Sequence, residues 1–192
     1  MRLFPRFFPA HAFRPTAIAV LLLASALTLQ AATYTVNSTA DTMVPTTLRY
    51  AITQANTNLN ADTIIFNFTT PTRIALTGAL PVVTAPLTVN GTNTTTLFRG
   101  TPYIEINGAG VGAGTYGLRM ATNDCQVNGL RFTEFPQNAL QYYFTANGMI
   151  RNVEAISNGA AGIQVYDSAN VQIGGTNGEA CLLSANSQYG LH

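Results

Sequence analysis

Residues 118–173 read LRMATNDCQVNGLRFTEFPQNA, LQYYFTANGMIRNVEAISNGAAG and IQVYDSANVQI when the chain is broken at Leu118, Leu140 and Ile163. Set one beneath another, the three lines align in columns. Leu118, Leu140 and Ile163 head the first column, and Met120, Tyr142 and Val165 make the next. Val127, Ile150 and Ile173 form a third, while Leu130 stands over Val153 and Phe132 over Ala155. The offset is 22 or 23 residues. Self-similarity at such a period marks a solenoid, in which each repeat buries its apolar face only against its neighbours. Alternate residues of a strand point to opposite sides, so these columns predict the stacked interior of a three-sided parallel coil.

Outward from that stretch a second cadence runs along the chain, a hydrophobic residue followed by asparagine. The pairs are Val36-Asn37, Phe66-Asn67, Val89-Asn90, Ile106-Asn107 and Val127-Asn128, continued by Ile150-Arg151 and Ile173-Gly174; from Phe66 the steps are 23, 17, 21, 23 and 23 residues. A sharp bend between two strands needs a left-handed residue, which Asn and Gly tolerate best. Asparagines piled at one bend predict a ladder of side-chain amides. Hairpin turns of an antiparallel protein are the competing source of Asn-Gly pairs, but they would space the strands about ten residues apart. The whole-turn registers favour the coil. The expected fold is all-β, a right-handed parallel β-helix of about seven turns, with one amphipathic helix near its start. That helix is predicted over residues 46–58, where Leu48, Ala51, Ile52 and Ala55 form one stripe and Thr46 or Thr47 supplies the N-cap. Its task would be to cover the end of the stacked core. A second insertion is expected at Gly174–Ala180.

The first 31 residues read as a cleaved secretory signal, leaving residues 32–192 as one β-helix domain. Arg2, Arg6 and Arg14 precede the apolar run Ala17–Leu29, and Ala31 and Ala32 offer a cleavage site. The run is short for a membrane span and polar sequence follows it, although a retained anchor is the alternative. Without the leader, six arginines face eight carboxylates, a net charge of −2, and the chain has no lysine. Such a balance leaves no basic footprint for nucleic acid. Cys125 and Cys181 fall about two rungs apart, roughly 10 Å at ~4.8 Å per rung, beyond the ~7 Å that a disulfide spans. They are expected as free thiols, unless the insertion before Cys181 closes that gap.

Two segments carry a resemblance. Thr46–Phe66 (TTLRYAITQANTNLNADTIIF) is similar to the N-terminal capping signature CSLREAI…AN…DTI-F through Leu48, Arg49, Ala51, Ile52, Ala55, Asn56, Asp62, Thr63, Ile64 and Phe66. Thr46 and Tyr50 depart from it. Asn170–Asn186 (NVQIGGTNGEACLLSAN) resembles the repeat N-x-x-IGGT-x-GE-x-N-x-I-S-x-N. Both belong to secreted bacterial β-helix proteins of the broad pectate-lyase-like superfamily, which holds adhesin-like surface proteins and polysaccharide enzymes. The resemblance implies a secreted, extracellular or outer-membrane-surface protein, with a Gram-negative host. It also implies two functional classes: a non-catalytic, adhesin-like scaffold, or a polysaccharide lyase or glycoside hydrolase. Ser187–His192 begins another strand and then stops, so a longer coil is expected, with any catalytic residues of the second class in its downstream turns.

Chemistry is sparse in what is present. His11 leaves with the leader and His192 is the last residue, so no nucleophile–histidine pair, zinc spacing or phosphate loop is assembled. No catalytic residue, metal ligand or cofactor is assigned. Asp124, Asn147 and Asn170 share a column that reads as a turn ladder. Arg131 stands over Glu154, read as an exposed ion pair worth ~0–1 kcal/mol, and no carboxylates are expected to cluster on one face. The most suggestive surface is the outward side of the strand before each bend, Arg119 and Ala121, then Gln141 and Tyr143, then Gln164 and Tyr166. Stacked tyrosines beside amides suit a polysaccharide or cell-surface glycan. Aromatic residues supporting one another across parallel strands is the plainer account.

Overall fold

The structure is a computed structural model that describes residues 30–92, 104–176 and 179–192. The proposed leader, but for its last two residues, and part of the Gly174–Ala180 insertion lie outside them. Among the described residues, fourteen short strands form three parallel sheets, with one helix near the start. The first sheet stacks β1 (Thr33–Val36), β2 (Asp62–Phe66), β4 (Leu87–Asn90), β7 (Gln126–Asn128), β10 (Met149–Arg151) and β13 (Gln172–Ile173). The second stacks β3 (Thr72–Ala75), β5 (Ile104–Asn107), β8 (Leu130–Thr133), β11 (Glu154–Ile156) and β14 (Leu182–Ser184). The third stacks β6 (Leu118–Met120), β9 (Leu140–Tyr143) and β12 (Ile163–Tyr166), and single bridges at Val83 and Leu191 extend it at either end.

The columns read from residues 118–173 are the registers observed. Leu118 pairs with Leu140 and Leu140 with Ile163, Val127 with Ile150 and Ile150 with Ile173, and Phe132 with Ala155. Their side chains form one continuous core, in which Tyr142, Phe66, Phe132 and Phe135 are the largest fully buried residues. Burial of each such ring removes enough apolar surface from water to contribute about 2–3 kcal/mol. Nothing but alternation and register is needed to explain it.

The asparagine cadence, by contrast, is not one column. Val89 pairs with Val127, but Ile64, not Phe66, pairs with Val89, and Ile106 lies on the second sheet between Ile74 and Phe132. The longest sheet therefore has six rungs and the coil roughly four complete circuits, fewer than the seven turns expected. Two of the asparagines share local chemistry, Asn90 accepting from Thr92 N at 3.0 Å and Asn107 from Ala109 N at 3.2 Å, each closing a turn two residues on, whereas Asn128 accepts from Asn152 Nδ2 of the next turn at 2.8 Å. The left-handed residue at the bend after β7 is Gly129, not Asn128, and Asn152 holds the corresponding place after β10.

Ladders do form in two other columns. Asn147 donates to Asp124 at 3.1 Å and Asn170 to Asn147 at 3.3 Å, all three at positive φ, as their alignment predicted. Deeper in, Asn158 donates through Nδ2 to Asn186 Oδ1 at 2.9 Å and to Phe132 O at 3.3 Å, while its own Oδ1 accepts from Phe135 N at 3.1 Å. Each amide satisfies backbone groups that a buried corner would otherwise leave unpaired.

The helix α1 (Leu48–Ala55) is shorter than the predicted 46–58 but buries the predicted stripe. Thr47 is its N-cap, accepting from Tyr50 N. It packs on β1 and β2, the first two rungs of the longest sheet. Arg49 ties it to the coil. Its guanidinium donates to Asp41 Oδ1 at 2.8 Å and Oδ2 at 2.9 Å, and onward to the carbonyls of Gly78 and Ala79. Asp41 also accepts from Thr77 N at 2.7 Å and Thr77 Oγ1 at 3.0 Å. Burial alone would raise the Asp41 pKa, but these hydrogen bonds and the arginine charge hold it below the ordinary carboxylate value. Asn56 and Asp62 supply further ties, to the backbone of Val82 and Thr84 and to Ala32 N. Both cysteines are free, as expected. Cys125 is buried beside the first sheet, and Cys181 is half-buried at the start of β14.

Candidate ligand-binding face

Three parallel strands project the predicted face. Arg119 pairs with Gln141 and Gln141 with Gln164, while Tyr143 pairs with Tyr166. The neighbouring Leu, Met, Tyr142 and Val side chains point inward, so strand alternation delivers these polar and aromatic groups to the opposite side. All five predicted residues are thus brought together, though not equally exposed. Tyr143 and Tyr166 stack with centroids 5.3 Å apart and planes 15° from parallel. Tyr166 is 49% exposed.

Gln141 is only 4% exposed. Its Nε2 donates to Gln164 Oε1, which also accepts from Asn138 Nδ2 at 2.7 Å. The two glutamines therefore make the hydrogen-bonded base of the face, and the ring pair makes its surface. Arg119 lies between aromatic rings, its guanidinium carbon 4.4 Å from the Tyr143 centroid and 5.5 Å from that of Tyr116.

Sequence reasoning missed Phe144. This residue holds a left-handed φ of 52° and is 55% exposed, standing edge-on to Tyr143 at 4.4 Å and to Tyr166 at 5.7 Å. Strand alternation would send residue 144 inward. The strand ends at Tyr143, and the left-handed turn swings the ring out instead. Tyr116 was also missed, because it sits in the loop before β6. At the far end of the face, His192 stacks on Tyr189 at 4.8 Å and its Nδ1 lies 3.0 Å from Gln164 Nε2. A groove of about 180 Å³ adjoins the ring cluster, lined by Leu80, Val82, Thr115, Tyr116, Gly117 and Arg119.

Most carboxylates are engaged elsewhere, but Asp167 is exposed immediately after Tyr166. On the outward side of the second sheet, Arg73, Glu105, Arg131 and Glu154 stand in one column of alternating charge. Arg73 pairs with Glu105 at 3.1 Å and Arg131 Nε donates to Glu154 at 2.6 Å. This corrects two expectations. Glu105 and Glu154 do share an outward column, and Glu154 is buried rather than exposed, so its pair is no loose surface contact. The position facing out of a sheet is not necessarily wet when a long arginine lies across it. Glu179 pairs with Arg151 at 3.1 Å beside a second concavity of about 470 Å³, Glu134 accepts from Asn107, and Thr133 Oγ1 donates to Glu105. Among the described residues no three His, Cys, Asp or Glu side chains gather as metal ligands, and no helix is long and apolar enough to cross a membrane.

A scan against protein-family models finds no match to this chain, and neither does a comparison with curated proteins.

Proposed function

We propose that the chain is a secreted or surface-displayed β-helix scaffold of the pectate-lyase-like kind, adhesin-like and non-catalytic, whose third sheet holds a glycan. Helix α1 is its N-terminal cap in this reading. The observation that carries the proposal is the Tyr143–Tyr166 stack with Phe144 edge-on beside it, an open aromatic platform on a rigid parallel sheet. A sugar ring laid on Tyr166 exchanges water for the apolar face of the ring, while its hydroxyls reach the amides alongside. Four of the eight carboxylates, Asp41, Glu105, Glu154 and Glu179, are held by arginines, which favours a scaffold over a lyase or hydrolase at those positions, because a catalytic carboxylate must be free to meet substrate.

Binding of wild-type protein to a glycan array, against Tyr143→Ala and Tyr166→Ala, tests the reading. Loss of one stacking face predicts about tenfold weaker binding for Tyr166→Ala. Unchanged binding in both variants, or hydrolytic or eliminative activity on a polysaccharide, refutes it.

A further inference from the structure

Five Asn-Gly pairs lie among the described residues, at Asn90, Asn107, Asn128, Asn147 and Asn158. An asparagine in such a pair can react with its own backbone, because glycine has no side chain to keep its amide nitrogen from the Asn side-chain carbon. In four of the pairs that nitrogen is committed. Gly91 N donates to Asn128 O at 2.8 Å, Gly108 N to Thr133 O at 2.8 Å, Gly129 N to Arg151 O at 3.0 Å and Gly159 N to Phe135 O at 2.7 Å. Three of these peptide groups are also held through the carbonyl: Asn107 O accepts from Leu76 N, Asn128 O from Gly91 N and Asn158 O from Ser187 N. They are pinned between rungs.

The fifth is not. Among the described residues, neither Asn147 O nor Gly148 N has a hydrogen-bond partner. The groups on either side are fixed, Asn147 N donating to Ala169 O at 3.0 Å and Gly148 O accepting from Gln172 N at 2.9 Å. A peptide plane between two fixed neighbours turns by opposite changes in ψ of residue 147 and φ of residue 148, and glycine accepts the second. Asn147 is exposed, whereas Asn107 and Asn158 are buried and Asn90 and Asn128 half-buried. Its side chain is held only by the exposed corner ladder, donating to Asp124 at 3.1 Å and accepting from Asn170 at 3.3 Å. The glycine itself is imposed by packing, since a Cβ at 148 would stand 2.5 Å from Tyr142 Cε1.

We propose that Asn147-Gly148 is a spontaneous modification site, where the folded protein forms a succinimide and opens it to aspartate and isoaspartate. Gly148 N gives its proton to base in the solvent and attacks Asn147 Cγ. The new N–Cγ bond closes a five-membered ring, the Cγ–Nδ2 bond breaks, and Nδ2 takes up a proton and departs as ammonia. Water then adds to either ring carbonyl and reopens the ring. The net change turns asparagine and water into a carboxylate residue and ammonia, with nothing oxidised or reduced. The product alters the ladder: at the contact with Asp124 a donor is replaced by a second carboxylate, and like charges opposed across strands are destabilising. The corner so altered joins β9 to β10 and carries Phe144.

The test holds wild-type protein in mildly alkaline buffer, folded or in denaturant, and follows replacement of the side-chain amide by oxygen at each pair by peptide mass spectrometry. In the folded protein Asn147 should convert about tenfold faster than Asn90, Asn107, Asn128 and Asn158, whose peptide groups must first open. In denaturant the five rates should converge. Electron-transfer fragmentation should show both aspartate and isoaspartate at position 147. Asn147→Asp, which carries the new charge without the shifted backbone, should melt about 2–4 °C below wild type at neutral pH. Folded-state conversion at any of the other four pairs as fast as at Asn147 overturns the proposal, as does an Asn147 that stays intact in folded protein while the denatured chain reacts. An Asn147→Asp protein that melts with wild type overturns the stated effect on the ladder.

Discussion

The tie between helix α1 and the coil makes Asp41→Asn a demanding test of how the first rungs are held. The Asp41 carboxylate is 3% exposed and accepts four hydrogen bonds, two from Arg49 and two from Thr77. Asparagine keeps the shape but removes the charge, and it replaces one acceptor oxygen with an NH2 donor that faces the donors of Arg49 or Thr77. Arg49 would keep the carbonyls of Gly78 and Ala79 and is itself 18% exposed, so part of its charge can recover water. Breaking one side of a buried pair costs about 3–5 kcal/mol, and the partial exposure of Arg49 puts this one near the lower end, about 3 kcal/mol. For a domain of this size that is a fall of roughly 6–12 °C in Tm. Guanidinium unfolding followed by circular dichroism measures it. The pH dependence supplies a second arm. The folded pKa of Asp41 lies below its ordinary 3.8, so the unfolded chain binds the proton first as pH drops. The stability due to Asp41 is therefore complete above about pH 5 and lost as pH falls through 3.8 and below. The Asn variant should lack that component of the acid slope. A loss under about 1 kcal/mol at pH 7, with an unaltered acid slope, would show that water screens the pair and would refute the argument.

Other expectations follow from single contacts. Asn158→Ala should cost about 2–3 kcal/mol in denaturant unfolding, because Phe135 N loses its acceptor and Phe132 O its amide donor, while Asn186 Oδ1 keeps only the bond from the backbone N of residue 158. Asn128→Ala, which loses only the bond from Asn152 Nδ2, should cost under about 1 kcal/mol; the reverse order would restore the bend asparagines as the stabilising ladder. Gly117→Ala places a Cβ 2.1 Å from the Ala139 carbonyl oxygen on the next rung and should lower stability by about 2–3 kcal/mol in thermal melts. Burial pushes the Cys125 thiol up to about 11, so its thiolate is scarce at pH 8. Alkylation of native protein at that pH, mapped by peptide mass spectrometry, should mark Cys181 and reach Cys125 only on unfolding.

What the sequence discloses depends on whether a signal belongs to a whole circuit or to a corner. From Leu118 onward the circuits are nearly equal in length, so apolar periodicity carries the register directly, and the columns of Leu118, Met120, Val127 and Phe132 are observed as read. Between Val89 and Val127 the circuit is longer, and the same periodicity misassigns Ile106-Asn107. The cause is physical. An asparagine closing a turn two residues ahead does the same work at any corner, so the pair marks a bend without saying which side of the coil has ended. The helix stripe was legible because burial on one face needs only spacing at 3.6 residues. Of the ligand face, residues that follow strand alternation were legible. Phe144 was not, since its direction comes from a left-handed backbone beyond the strand.

The distribution of charge over the sides of the coil has one origin. Stacked parallel strands place the same position of each turn about 4.8 Å above the last, so a column of like charges would repel at every step. Two arrangements avoid this. The second sheet alternates Arg73, Glu105, Arg131 and Glu154, and its outward charges cancel along the pile. The third sheet instead follows Arg119 with two glutamines bonded to each other. Alternation leaves a side electrically quiet, whereas a single charge over neutral amides leaves a local field. A face whose arginine is lodged between rings, with no carboxylate in its column, keeps that local field.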